Sequence, residues 1–406
     1  MEWTSLPVRA DSQRNVPHPG YSFISRSDGT FGQVAGRAGG RRLALETLDL
    51  KQVREQLQRA LEVERPLLAA LRDQVRGFGI HEIGYRQCYA ISPVATDGGE
   101  NRLTFEPLNL EIIRVVDSEG LERFQKILPL SGGTDIFRAA FDRTSQDHSP
   151  LLAGFLERLD VSYDELSYFL EAGRGEGDLR AAVRPFRDIV EWAVLLDIAW
   201  NPGRKTALVI RDGLLRTKAL RKDVIAKLAR SFEQAYKEQG SLLVGVAKRS
   251  KVLNYLSLGL ALEGTFRKKY ACFCEVPRDI EREAHPQWRS WLEEATFGIL
   301  HLAKLVENPD GMVLPVDIPE WLMPRRKEML EYLAETAKSS FPTVGYPEPL
   351  IKAHEGAVLH GFEMSILEDL LVEEVVRGQL TEDADRTFEH VAIGRGLLRG
   401  GWKEYG

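Results

Sequence analysis

Two aspartates that each follow an apolar run are the residues in this sequence best suited to chemistry. Asp212 comes after four apolar residues at positions 207–210, a pattern that predicts a buried strand. Asp97 follows a second apolar run at positions 88–95. A carboxylate at the end of a core strand is costly unless something pairs with it. If one sheet brought both aspartates together, they would form a divalent-metal site, and such sites suit phosphodiester hydrolysis.

The elements that must position these aspartates follow from the hydrophobic pattern. Three strands are predicted to be consecutive and antiparallel, because turn signals separate them: residues 85–95, residues 103–105 continuing as 108–116, and residues 121–130. We assign the first turn to Asp97-Gly98-Gly99 and the second to residues 117–120. Further helical periodicity covers residues 151–170 and 179–200, ending at an Asn-Pro-Gly sequence.

The second half of this pattern is a strand, a helix and a strand, at residues 207–210, 222–238 and 242–247. That spacing suggests a parallel pair joined by a crossover helix. The whole order predicts an α/β fold with a ribonuclease H-like core, in which a mixed sheet has three antiparallel strands followed by strand-helix-strand. In that fold, carboxylates come from the first strand, a helix and the fourth strand, although a fold does not by itself establish a function.

Composition places the chain among soluble globular proteins. It has 406 residues and a net charge of −6, which argues against a uniformly basic DNA-coating protein but leaves room for a local basic groove. Neither a membrane-spanning apolar run nor a signal peptide is recognised, so no membrane association is expected. The three cysteines are too few for a disulfide framework, and we expect reduced thiols in the cytoplasm.

Four motifs in order give the sequence a resemblance to a known family. They are Ala95-Thr96-Asp97-Gly98-Gly99, Leu208-Val209-Ile210-Arg211-Asp212-Gly213, Leu243-Val244-Gly245-Val246-Ala247-Lys248 and Gly345-Tyr346-Pro347-Glu348 followed by His354. Together they resemble the NurA nucleases, the DNA-end-processing partners of HerA translocases. The resemblance covers residues 85 to the C-terminus.

That resemblance implies a manganese- or magnesium-dependent nuclease that forms a homodimer and docks on a hexameric HerA-type ATPase. It maps the family's acidic residues to Asp97, Glu191 and Asp212, and its C-terminal histidine to His354. The sequence departs from the family in reading Asp-Gly-Gly where Asp-Gly-Ser is commoner. The long interval between Asp97 and Glu191 implies an insertion, so we divide the chain into an N-terminal arm at residues 1–47 and a nuclease domain at residues 48–406 with a helical insertion around residues 131–200. A long amphipathic helix at residues 48–75, broken or kinked at Pro66, begins that domain.

Each of the two strand-end aspartates also has a simpler explanation. Asp-Gly is a common turn pair, so Asp97 and Asp212 could be turn residues. Asp28, also followed by glycine, competes with Asp97 for the first motif, although the apolar run before it is short and polar residues follow that run. We expect Asp97 and Asp212 to ligate the metal and keep Asp28 as the alternative to Asp97.

Glu191 has apolar neighbours on both sides in its predicted helix. A buried helical carboxylate needs a partner, so its alternative to metal ligation is an ion pair with Arg187, four residues earlier. Asp188 and Asp197 are rival acids on the same helix.

His354 could be a surface histidine at the start of a helix, or a metal ligand or proton donor placed firmly by the preceding Tyr-Pro-Glu-Pro. Four other histidines are expected to be structural or surface residues: His148, His285, His301 and His360.

Basic residues cluster beside the predicted strand ends. The simplest explanation is that they are solvated, but in a nuclease they would contact the DNA backbone. The predicted DNA-binding residues are Arg216, Lys218, Lys248, Arg249 and Lys251.

The predicted function is therefore a metal-dependent DNA nuclease, an endonuclease or 5′-to-3′ exonuclease, that processes single- and double-stranded ends together with a HerA-type ATPase. DNA repair and defence against phage both remain open as settings. The alternative is a catalytically silent ribonuclease H-like subunit that docks on such an ATPase and regulates it.

Overall fold

The computed structural model describes residues 50–85, 91–105, 108–170, 179–201, 207–286 and 295–379. The chain divides into two compact units, residues 1–64 and 65–406. The predicted arm at residues 1–47, together with Asp28, lies outside the described residues. The predicted first helix is present as α1 (Leu50–Arg76), and it continues through Pro66 where a break or kink was expected.

Nine strands form one mixed sheet within the described residues, in the order β1-β7-β8-β9-β6-β5-β2-β3-β4. Their bounds are β1 (His81–Glu82), β2 (Ser92–Phe105), β3 (Leu108–Asp117), β4 (Glu122–Pro129), β5 (Ala207–Asp212), β6 (Leu242–Val246), β7 (Cys272–Glu275), β8 (Gly298–Lys304) and β9 (Val313–Pro319).

The predicted turn at Asp97-Gly98-Gly99 is wrong, because β2 runs straight through these residues for 14 positions and pairs with β3 from Thr96 to Phe105. The two glycines do not reverse the chain; they leave room for neighbouring groups to approach β2 closely. A Cβ at Gly98 would overlap with the Glu191 carboxyl group, and one at Gly99 would overlap with the carbonyl of Ala357. The second predicted turn, at residues 117–120, is confirmed between β3 and β4.

The predicted parallel pair is also confirmed. β5 and β6 are parallel and are connected by α6 (Lys222–Gln239), and β2 pairs parallel to β5 on its other side. β2, β3 and β4 are antiparallel neighbours. Asp212 is the last residue of β5, as its position after four apolar residues predicted.

Helices cover both faces of the sheet. The predicted helix at residues 151–170 is wrong as a single element, because it divides at Asp160, which adopts φ 50° after the first segment. The predicted helix at residues 179–200 is confirmed. The helices after α1, with the α6 bounds already given, are α2 (Asp135–Phe141), α3 (Pro150–Leu159), α4 (Tyr163–Leu166), α5 (Arg180–Trp200), α7 (Lys251–Glu263), α8 (Arg278–Ala284), α9 (Arg326–Ala337), α10 (Glu348–Ala357) and α11 (Gly361–Gln379).

Successive side chains along the central strands point to opposite faces of the sheet, so they contribute to two separate hydrophobic clusters. Val94 and Val209 face α3, α5 and α6 in one cluster, whereas their neighbours Ala95 and Ile210 face α9 and α10 in the other. The central strands are therefore buried on both sides, and a polar residue at the end of one is enclosed by helices. None of the helices in the described ranges is long and apolar enough to cross a membrane.

Candidate metal centre

Asp97, Asp212 and His354 come together where β5 ends beside the middle of β2. Each offers one ligand atom, and these atoms lie within 4.8 Å of one another. Asp97 is on β2, Asp212 ends the adjacent β5, and His354 is on α10. The His354 Nδ1 lies 2.6 Å from Asp97 Oδ2. Three residues chosen from sequence thus share one small site, although they come from positions far apart in the chain.

Glycines allow α10 to approach the sheet closely enough for this contact. Beyond the overlap at Gly99, a Cβ on Gly356 of α10 would lie only 2.9 Å from Val116 of β3. The glycine at the third position of Asp-Gly-Gly is thus explained by the packing of α10 on β2. The side chain of His354 is 51% exposed and that of Asp97 14%, so the site is open on the histidine side.

Two further residues hold Asp212. The Tyr346 hydroxyl donates a hydrogen bond to Asp212 Oδ1 at 3.1 Å, and Lys248 Nζ lies 3.4 Å from Oδ2. Lys248 also lies over the Tyr346 ring, 5.1 Å from its centroid. Burial raises the pKa of Asp212 and the nearby Asp97 raises it further, while Lys248 and Tyr346 act in the opposite direction. The charge of the two aspartates is thus only partly balanced by the protein.

Glu191, the third predicted acidic ligand, does not join this group. Its Oε1 lies 3.2 Å from Arg187 Nε and its Oε2 lies 3.7 Å from an Arg211 nitrogen. Burial is the main cause that raises its pKa, and Asp188 and Asp97 raise it further against the two arginines. The ion pair with Arg187 that sequence offered as the alternative is present. The rivals are not in the group either, since Asp188 pairs with Arg211 and Asp197 is exposed.

Arg211 braces the segment that carries Asp212, a role that sequence reasoning missed. Its Nη1 donates to the carbonyl of Leu214 at 2.7 Å, and its guanidinium lies over the Trp192 ring at 4.4 Å. Gly213 has φ 127°, and a Cβ there would lie 2.5 Å from Arg211 Nη1. The sequence signal for this contact was the glycine that follows Arg-Asp at the strand end, since a glycine leaves room for the Arg211 side chain.

Arg216, predicted to bind DNA, has a different position. Its guanidinium is bound between Asp317 and Glu281, whose side chains are completely buried, and it is itself only 10% exposed. The prediction for Arg216 is therefore wrong, because the buried carboxylates occupy the donors that a phosphate would need.

The other predicted DNA-binding residues, Lys218, Lys248, Arg249 and Lys251, are exposed. Partial burial lowers the pKa of Lys218, and the charge of Lys251 lowers it further. Ser250, which stands between Arg249 and Lys251 in the sequence, caps α7 by accepting a hydrogen bond from the Leu253 N–H at 3.0 Å. These cations follow the strands that end at Asp212 and Val246.

The four histidines expected to be structural or surface residues lie outside the group. His148 and His360 are exposed, His285 is partly buried, and His301 is completely buried on β8. Tyr346 was quoted in the C-terminal motif without a role, and its contact with Asp212 depends on a fold that no local pattern reveals.

The donor set fits a hard or borderline divalent cation. Two carboxylates and an imidazole are ligands that Mn²⁺ accepts readily, and Mg²⁺ accepts the carboxylate oxygens. The incomplete charge balance at Asp212 points the same way, because close carboxylates repel each other until a cation separates them.

Comparison with known families gives a match over more than half of the chain. The model of the NurA domain matches residues 94–359, a range that contains all three ligand residues. No curated protein matches the chain.

Solved structures give more distant likenesses. The crystal structure of the NurA nuclease from Sulfolobus solfataricus is 13% identical and has a TM-score of 0.43, covering 84% of this chain and 99% of that one. A crystal structure of NurA bound to dAMP and manganese is 11% identical with a TM-score of 0.34, covering 83% of this chain and 99% of that one.

Proposed function

We propose that this chain, which belongs to the NurA family, is a metal-dependent DNA nuclease. The observation that carries the proposal is the convergence of Asp97, Asp212 and His354 within 4.8 Å. A catalytically silent subunit would have no need of three ligand atoms in one open site, so this convergence favours the enzyme over that alternative.

Asp97, Asp212 and His354 would hold Mn²⁺ or Mg²⁺. When bound, such a cation polarises a phosphodiester and neutralises the charge that develops during hydrolysis. Tyr346 and Lys248 orient the Asp212 carboxylate through its two oxygens, so that it meets the ion in a fixed geometry. His354, on the exposed side, serves as a ligand or holds the proton that the leaving oxygen requires.

Glu191 remains a proposed third carboxylate. It lies directly against Gly98, the residue after Asp97, so a modest movement would bring it toward the ligand group. To ligate, it would have to exchange Arg187 and Arg211 for the cation. The strand order β4-β3-β2-β5-β6, with three antiparallel strands followed by two parallel ones, supports assigning this core to the ribonuclease H-like fold.

Four cations are proposed to bind the DNA backbone: Lys218, Lys248, Arg249 and Lys251. They neutralise only a few phosphates, and the net charge of the chain is −6, so unaided binding to DNA should be weak and depend steeply on salt. A hexameric HerA-type ATPase that threads DNA ends into the site of a dimeric nuclease would raise the local concentration of substrate. Both the endonuclease and the 5′-to-3′ exonuclease activities belong to this proposal.

The direct test is digestion of linear single-stranded DNA by the purified chain, in Mn²⁺ and in EDTA. We expect cleavage in Mn²⁺, less in Mg²⁺ and none in EDTA. Addition of the HerA-type ATPase should increase the rate on duplex ends. Absence of cleavage with Mn²⁺, with and without the ATPase, would leave the silent regulatory subunit as the function of the chain.

A further inference from the structure

An exposed aromatic side chain stands on a firmly held loop that leads into the site. Phe341 is 83% exposed, and its neighbours on the same surface segment include Val344, at 57%. The loop at residues 338–345, which we call the Phe341 loop, connects α9 to the segment that begins with Tyr346. Two exposed apolar side chains on one short loop are a candidate contact surface, whereas an exposed apolar residue that stands alone needs no explanation.

The Phe341 loop is braced, so it presents the ring in a defined place. The Ser340 hydroxyl, which is buried, lies 2.9 Å from the carbonyl oxygens of both Ala337 and Thr343. The Gly345 N–H donates to Ala337 at 3.1 Å, and the Tyr346 N–H donates to Thr343 at 3.2 Å. These bonds close the backbone on either side of Phe341 and leave its ring outside.

The loop is also tied to the metal ligands. Tyr346 directly follows it, and its hydroxyl contacts Asp212. Five residue steps separate Phe341 from Tyr346, so their Cα atoms lie at most roughly 17 Å apart. The hydrogen bond between Tyr346 and Thr343 shows that the segment is turned, so the actual span is shorter.

We propose that Phe341 is a stacking platform for an unpaired nucleobase of single-stranded DNA whose backbone enters the metal centre. This inference rests on the proposed nuclease function and names the substrate form that the site prefers. Aromatic faces stack on every base, so the contact adds affinity without sequence preference. Lys248, whose Nζ lies over the Tyr346 ring and 3.4 Å from Asp212 Oδ2, supplies a cation for the phosphates at the metal centre. Duplex DNA offers no free base face and should gain nothing from Phe341.

The test compares Phe341→Ala with a matched control, Phe362→Ala. Phe362 is similarly exposed, at 78%, but lies on α11 and is assigned no role. For a long oligothymidylate, Phe341→Ala should raise KM about tenfold, the size of one lost base–aromatic stack. The kcat at saturating oligothymidylate should stay unchanged, because stacking affects binding and not the hydrolytic step. Phe341→Trp should retain the low KM, and Phe362→Ala should match the wild type throughout.

A binding measurement separates the inference from the proposed function. An oligonucleotide that carries 2-aminopurine should lose fluorescence on binding the wild type and the Phe341→Trp variant, and keep it with Phe341→Ala. Unaltered KM and quenching in Phe341→Ala would overturn the stacking role even if the protein is a nuclease. Loss of ATPase binding alone, with DNA unaffected, would overturn it in favour of protein docking. Absence of cleavage by the wild type, with quenching that depends on Phe341, would overturn the nuclease proposal and retain the binding surface.

Discussion

Two pairs of carboxylates lie close together in this protein, and their charges are balanced in opposite ways. Asp317 and Glu281 share Arg216, and all three side chains are buried or nearly so. Among the described residues no arginine pairs with Asp97 or Asp212. Lys248, which is 46% exposed, lies 3.4 Å from Asp212, and the His354 ring lies 2.6 Å from Asp97. The first pair is completed by the chain itself, whereas the second is left with room for an external cation.

The difference separates structural carboxylates from functional ones. A buried ion pair with its own arginine fixes a loop, here through an added hydrogen bond from the Leu215 N–H to Asp317 at 2.9 Å. Carboxylates that share a site without an arginine are destabilising by themselves, and such an arrangement points to a ligand. Variants at the two pairs should therefore affect different properties.

The largest contrast is expected in catalysis. Asp212→Asn removes a charge that the metal needs and keeps the shape, so Mn²⁺-dependent DNA cleavage should fall roughly 100- to 1,000-fold or more, the cost of losing one strong charge-stabilising group. Asp317→Asn, measured per folded molecule, should stay within a few-fold of the wild type, and Glu281→Gln provides a second variant of the same pair. Substantial activity in Asp212→Asn would remove Asp212 from the metal centre.

Stability should show the reverse pattern. Arg216→Met leaves Asp317 and Glu281 buried without their shared cation, so the free energy of unfolding should fall by about 3–5 kcal/mol. Lys248→Met breaks an exposed pair and should cost about 0–1 kcal/mol. Urea denaturation measures both. Equal losses would show that the Arg216 network is not the more strongly coupled one.

Metal addition should stabilise only through the uncompensated pair. A cation at a hundredfold excess over its dissociation constant adds about 2.7 kcal/mol to the free energy of unfolding. This gain should persist in Glu281→Gln and vanish in Asp212→Asn. A wild-type melting temperature that is the same in EDTA and in Mn²⁺ would contradict a resident metal.

The sequence predicted the two central aspartates but not the pairing of charges around them. Asp212 could be predicted from the sequence, because an apolar run followed by an acidic residue indicates the end of a strand. Asp97 lies in the ligand group but was placed wrongly in a turn. Asp-Gly-Gly resembles a turn, whereas Gly98 gives room to Glu191 on α5 and Gly99 gives room to Ala357 on α10, both far along the chain.

The ion-pair partners of the arginines could not be predicted from the sequence either, because they also lie far away along the chain. Arg216 looked like a member of a basic surface cluster, and the carboxylates that bury it come from α8 and β9. Glu191 could be assigned to an ion pair because Arg187 is four residues away, a distance that helical geometry fixes. Sequence spacing therefore predicted the ion pair within one helix, whereas the ion pairs between distant segments could be identified only from the structure.

The pH dependence of metal stabilisation should carry the signature of Asp212. Its pKa is raised in the folded protein above the ordinary value of 3.8, chiefly by burial. In EDTA, the stability contributed by its protonation is therefore fully present below the unfolded pKa and is lost as pH rises through the folded pKa. Metal stabilisation has the opposite sign, since protonated Asp212 cannot ligate.

The difference in melting temperature between Mn²⁺ and EDTA should therefore shrink as pH falls, beginning above the usual range of an aspartate. Burial also raises the pKa of Glu281, but this group acts equally in both buffers and cancels in the difference. A difference that stays constant down to pH near 3.8 would show that Asp212 is not a ligand.

The smallest expected effect tests whether the fold orients Asp212 for the cation. Tyr346→Phe removes the hydrogen bond to Asp212 but keeps the buried ring and the position of Lys248 over it. Loss of a group that orients a ligand typically weakens metal affinity about tenfold, so a Mn²⁺ titration should show a shift of that size. Tyr85→Phe is the matched control, because its hydroxyl bonds the carbonyl of Leu305, away from the metal centre. If Tyr346→Phe bound Mn²⁺ as tightly as Tyr85→Phe does, Asp212 would be held by the strand end alone, and the uncompensated pair would need no support beyond its backbone.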